Sequence, residues 1–142
     1  MPTSGRPPQL LVDTSVAVAL LVEDHEHHRA TVRSIGSRRL GLAGHAAYET
    51  FSVLTRLPPP ARRSATTIAQ AIASNFPASR FLTPAAADRL LQQLPQLGIA
   101  GGSVYDALVG ATAAEHGVPL ASRDQRALVT YRALDVQVEL LG

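Results

Sequence analysis

The chain has no cysteine, no lysine and no tryptophan. Without cysteine there can be no disulfide, thiolate zinc site, iron–sulfur cluster or cysteine nucleophile. No apolar run approaches the roughly 20 residues of a membrane span. The stretch after Arg6, with Ala17-Val18-Ala19 behind it, imitates a secretory signal, but Asp13 stands inside what would be its apolar segment, so a cytoplasmic protein is expected. Aromatic residues make up only 4% of the chain. The core must therefore be Leu, Val, Ile and Ala, and a row of aromatic rings is not expected to be the main hold on a nucleic acid. No glycine-rich loop ends in Lys-Ser or Lys-Thr, and "GLAGH" at 41–45 lacks the setting of a dinucleotide loop, which disfavours nucleotide-dependent enzymes.

What remains is a chain of 142 residues, 46% hydrophobic and 17% charged, with a net charge of +2. That size suits one domain, which on folding buries roughly 70% of the unfolded surface. Residues 1–9, rich in proline, read as an N-terminal extension, and 10–142 as the single domain. All thirteen basic residues are arginine. Codon bias toward Arg, Ala, Gly and Pro explains most of that, while the planar guanidinium leaves a phosphate-bearing partner permitted.

Short apolar runs at 10–12, 40–43, 80–82, 118–122 and 136–140 read as strands. Helices are expected from Thr14 or Ser15 (either one the cap), over 23–37, over 45–57 with "PPP" as its stop, over 65–75, from Pro84 with Thr83 as cap, over 104–117 closed by Gly117, and around 124–130. Strands alternating with helices imply an α/β fold with a largely parallel sheet, whose ligand site lies beyond the carboxyl ends of the strands.

Of eleven acidic residues, four stand in apolar company or at a strand exit: Asp13 in "LLVDTSVAVALL", Glu49 in "AAYETFSV", Asp106 in "SVYDALVGA" and Asp124 after "PLASR". Glu49 shares a helix face with Ala46 and Val53, and Asp106 lies in line with Gly110 and Ala113, small residues that admit a close neighbour. Each acid alone reads first as a helix cap or as one ion pair with an arginine, and it is the four together, at the ends of their elements, that point to a site. Together they would repel, since two charges ~4 Å apart at an effective dielectric of ~20 interact by about 4 kcal/mol. Protonation or a cation relieves that load, and an oxygen-only ligand set suits Mg²⁺ or Mn²⁺.

These blocks, with "GGSVYDALVGATAAEHGVPLASRDQRAL" the most specific and "TYRAL" following, resemble in order the PIN-domain family, in particular the VapC toxins of bacterial toxin–antitoxin pairs. The resemblance runs from about Leu10 to the C-terminus. It implies a three-layer α/β/α fold with a mainly parallel sheet, and a Mg²⁺- or Mn²⁺-dependent endoribonuclease cutting transfer or ribosomal RNA. Its metal-binding and catalytic acids would be Asp13, Glu49, Asp106 and Asp124, with Ser122 at the hydroxyl position two residues before the last acid. It also implies a VapB-like antitoxin and a homodimer.

Ser15 and Ser122 read either as hydrogen-bond supports for a carboxylate or metal water, or as helix caps. Arg123 and Arg126 read either as RNA-phosphate contacts or as a solvated helix face. "HEHH" at 25–28 reads as a solvated polar face, because adjacent helical histidines point apart. Residues 57–97 offer a dimer or antitoxin surface, or ordinary internal helix packing. The functional alternative is a non-cleaving module that binds RNA or a partner in the same groove; a phosphatase using Asp13 ranks last, for want of a paired Asp and of lysine.

Overall fold

The computed structural model describes residues 8–142. Four strands, β1 (Gln9–Val12), β2 (Arg39–Leu42), β3 (Leu120–Ser122) and β4 (Val138–Leu140), form one parallel sheet in the order β2-β1-β3-β4. The two central strands are short apolar runs buried on both faces, as a sheet covered on both sides requires. Seven helices join them: α1 (Thr14–Leu21), α2 (His28–Ile35), α3 (Ala46–Thr55), α4 (Ala65–Asn75), α5 (Pro84–Gln93), α6 (Ser103–His116) and α7 (Leu128–Ala133). Helices α1 to α4 pack in one group and α5 to α7 in another, flanking the sheet. This is the expected α/β layering. No helix among the described residues is long and apolar enough to cross a membrane.

Strand order decides where a ligand can sit. From β1 the chain goes to β2 on one side, and from β3 to β4 on the other, so the connections diverge between the two central strands. A crevice opens at such a switch point, at the carboxyl ends of β1 and β3. Asp13 and Asp124 follow those two ends.

Most expected elements are present, with four differences. The N-terminal extension lies, through residue 7, outside the described residues, but Gln9 belongs to β1: it pairs with Arg39, and its side-chain oxygen accepts from Arg80 Nη2 at 3.1 Å. The helix expected over 23–37 covers only His28–Ile35. Before it, His25 Nδ1 accepts the His27 amide at 3.1 Å and the His28 ring bonds the Ala19 carbonyl at 2.8 Å, holding the segment in turns. The strand expected at 80–82 is a single bridge, Ala43 with Arg80. Beyond it the Phe81 carbonyl bonds the His116 ring at 2.9 Å and the Thr83 amide donates to Glu115 Oε1 at 3.0 Å, so the backbone groups that would extend the ladder are bonded to α6 instead. Finally, the cap of α1 is Asp13 rather than Thr14 or Ser15.

Candidate active site

Asp13 is 4% exposed. A buried carboxylate without partners would cost far more than its neighbours return, so its donors matter. Oδ1 accepts from Ser15 Oγ at 2.5 Å and from the Val16 amide at 3.3 Å, and Oδ2 accepts from Ser122 Oγ at 2.5 Å and from Tyr131 OH at 2.9 Å. The two serines are themselves oriented. The Arg123 amide donates to Ser15 Oγ at 2.9 Å and the Asp124 amide to Ser122 Oγ at 3.0 Å, so each hydroxyl proton is free to turn toward Asp13. Burial pushes the Asp13 carboxyl up from its ordinary range, and the four donors, Ser122 first, pull it back. The charge in the apolar run is thus a helix cap and a buried anchor at once.

The other three acids face it. Glu49 and Asp106 stand in the first turns of α3 and α6. Asp124 caps a 3₁₀ turn, Gln125–Ala127, by accepting the Arg126 amide at 2.9 Å. All four line one pocket of about 60 Å³, together with Thr14, Ser15, Val109 and Tyr131. That volume holds a few waters, each needing about 10–15 Å³. The Asp106 carboxyl is raised by burial, then by Asp124, Glu49 and Asp13, with Arg126 opposing. The acids therefore interact electrically. Larger cavities exist, one of about 330 Å³ between α1, α3 and α4 among them, but it lacks such a convergence of carboxylates.

Tyr131 is the site residue that sequence reading missed. It is 1% exposed, and burial followed by the Asp13 charge raises its hydroxyl well above the ordinary value, so it serves Asp13 as a donor. Gly110 makes room for it: a Cβ there would lie 3.0 Å from Tyr131 Cδ1. The one clue lay in "TYRAL", one of only three tyrosines in the chain. His45 was missed as well; its Nε2 lies 3.5 Å from Glu49 Oε1.

The two arginines differ. The Arg123 guanidinium donates to Thr31 Oγ1 at 3.2 Å and to the Gly142 carbonyl at 2.9 Å, tying α2 and the chain end to the site loop. The Arg126 side chain is 95% exposed, with Nε 3.8 Å from Asp124 Oδ1.

Among the described residues, no three His, Cys, Asp or Glu side chains are already gathered in the geometry of a metal centre. A hard ion does not require that. Mg²⁺ keeps several waters and takes only one or two protein carboxylates directly, so four acids around a small pocket fit it. Asp13 has roughly four lone-pair sites and four donors on them, so direct ligation would require one hydroxyl to let go. Glu49, Asp106 and Asp124 carry more open oxygens.

A PIN domain family model matches residues 10–133. Ribonuclease VapC27 of Mycobacterium tuberculosis is 46% identical over 131 residues, spanning 92% of this chain and 96% of that protein. Ribonuclease VapC40 of the same species is 45% identical over 131 residues, spanning 91% and 96%. Among solved structures, DNA-bound VapBC from Salmonella typhimurium superimposes with a TM-score of 0.68 at 17% identity, covering 95% of this chain and 99% of that one. VapC20 of M. tuberculosis, described as a sarcin–ricin loop cleaving toxin, gives 0.64 at 20% identity, covering 84% and 92%. At such identities the structural likeness speaks for the fold, and the sequence matches carry the rest: the chain belongs to the PIN domain family.

Proposed function

We propose that the chain is a VapC-type toxin, an endoribonuclease that hydrolyses RNA phosphodiesters with Mg²⁺ or Mn²⁺ and is restrained by a VapB-like antitoxin. The single observation that carries this reading is the convergence of Asp13, Glu49, Asp106 and Asp124 on one pocket at the sheet's switch point. The curated relatives are named ribonucleases, and the solved neighbours include toxin–antitoxin complexes. A pure binder of an anionic polymer gains nothing from four clustered carboxylates.

Glu49, Asp106 and Asp124 would hold the ion directly or through water, with Asp13 as the fixed charge behind them. When bound, such an ion stabilises charge on the phosphoryl oxygens and lowers the pKa of a water. The chain's own residues do the positioning. Ser15, Ser122 and Tyr131 fix Asp13, and Arg123 holds the loop that presents Ser122 and Asp124. Arg126, exposed beside Asp124, would hold a phosphate of the strand. Water attacks phosphorus and the bond to the 3′-oxygen breaks, so the products carry a 5′-phosphate and a 3′-hydroxyl.

We assign the antitoxin to the 330 Å³ cleft, where the partly exposed Leu21, Leu57 and Ala71 provide apolar surface and Glu23, Asp24 and Arg63 provide charge. A homodimer in the cytoplasm completes the reading. The test is cleavage of purified total RNA by wild type and Asp106→Asn, each with Mg²⁺, with Mn²⁺ and with excess chelator. Discrete fragments with 5′-phosphates, lost in the variant and in chelator, are expected. Fragments ending in 2′,3′-cyclic phosphate would overturn the mechanism, and RNA binding without cleavage would favour the non-cleaving module.

A further inference from the structure

The chain has only three tyrosines and three phenylalanines, yet three of those six rings are exposed in one place. Tyr48 is 67% exposed, Phe81 49% and Tyr105 52%. The Tyr48 and Phe81 rings lie 6.3 Å apart, tilted, and Tyr105 stacks on His45 at 4.9 Å and 24°. A groove of about 280 Å³ runs beside Tyr48 and Phe81, lined by these two with His45, Leu82 and Leu108, and Tyr105 flanks it through its stacking on His45.

Its position matters more than its size. His45 is one helical turn before Glu49 and in contact with it, and Tyr105 immediately precedes Asp106. The stacked pair therefore joins α3 to α6 beside the two carboxylates that those helices send into the acidic pocket. The frame is firm. Gly44 turns the chain into α3 at φ 52°, where a Cβ would meet Thr112 Oγ1 of α6 at 2.6 Å, and His116 Nε2 bonds the Phe81 carbonyl at 2.9 Å.

Charge makes a second contribution necessary. Four acids line the pocket and the one arginine beside Asp124, Arg126, is solvent-exposed, so Coulomb attraction between side chains and an anionic strand supplies little hold next to the scissile bond. Unpaired bases splayed from RNA are commonly held by stacking on aromatic faces. We propose that His45, Tyr48, Phe81 and Tyr105 form a base-stacking subsite that takes unpaired nucleobases flanking the scissile phosphate. The inference rests on the ribonuclease reading and names how that site grips its substrate.

The test uses the full chain with Mg²⁺ and a single-stranded oligoribonucleotide carrying 2-aminopurine, its integrity checked on a gel. Binding is followed by anisotropy and stacking by quenching of the 2-aminopurine. Wild type should quench, Tyr105→Ala and Tyr48→Ala should each bind about 10-fold more weakly with quenching lost, and Tyr105→Phe should retain both. The same RNA annealed to its complement should not be quenched. Unchanged binding and quenching in both folded alanine variants would overturn the subsite. So would a shift in sedimentation with unchanged RNA binding, which would make this face a contact between copies of the chain. Total-RNA cleavage by wild type, run in parallel, separates the two failures: cleavage that persists while the stacking signal is absent refutes the subsite alone.

Discussion

The two walls of the acidic pocket are built on opposite plans. On the sheet side, Asp13 is buried and holds four donors, two of them serines oriented by backbone amides. On the helix side, Glu49 and Asp106 face open space, and the Asp106 carboxyl is raised partly by its acidic neighbours. One wall is satisfied by the protein itself. The other is satisfied only when a proton or a cation arrives, which is where a bound metal would do most for the fold.

Cleavage should not distinguish the walls, whereas stability should. Asp13→Asn and Asp106→Asn are each expected to lower RNA cleavage by about 100-fold or more, the scale on which removing one charge-stabilising group acts. In chemical denaturation they should part. Asp13→Asn sets an amide NH₂ against hydroxyl donors and a backbone amide, at a cost of about 2–4 kcal/mol; a stabilised variant would mean that burial outweighs the donors. Ser122→Ala removes the partner of both Asp13 Oδ2 and the Asp124 amide, and about 1.5–3 kcal/mol should go with it. Tyr131→Phe keeps the ring and loses one donor, about 1 kcal/mol. Asp106→Asn, on the open wall, should be neutral or stabilising by less than about 1 kcal/mol in chelator, since solvent screens a half-exposed charge.

The pH dependence sharpens the same contrast. The folded Asp106 carboxyl keeps its proton above the ordinary 3.8. As pH rises from that value through the raised one, the native state holds more protons than the unfolded chain, so this group's effect on stability becomes more unfavourable. Subtracting the Asp106→Asn melting curve from the wild type in chelator isolates it. The wild type should lose ground to the variant with rising pH, and Mg²⁺ should restore it; a difference of the opposite sign would remove the repulsion from the account.

Three acids of the candidate site were legible because each sits where polarity makes no sense locally, and Asp124 because it follows the end of an apolar strand. A charge in "LLVDTSV" or "VYDALVG" needs an explanation that only a tertiary partner provides, and the apolar runs showed which strands would bring those partners together. Tyr131 was not legible. A tyrosine in a short helix beside leucine, valine and alanine looks like core, and its bond to Asp13 spans 118 residues. "Asp-Thr-Ser" likewise offers three successive capping side chains, and Ser122 and Tyr131, from distant parts of the chain, determine that Asp13 is the one turned inward. The exposed rings were hidden by their scarcity: composition measures how many there are, and the fold decides that half stand together.

The most direct measurement is the anomalous scattering of a crystal soaked in Mn²⁺. The account predicts a manganese peak in the pocket bounded by Asp13, Glu49, Asp106 and Asp124, lost in Asp106→Asn. A peak at the histidines of residues 25–28, with none among the four acids, would contradict it.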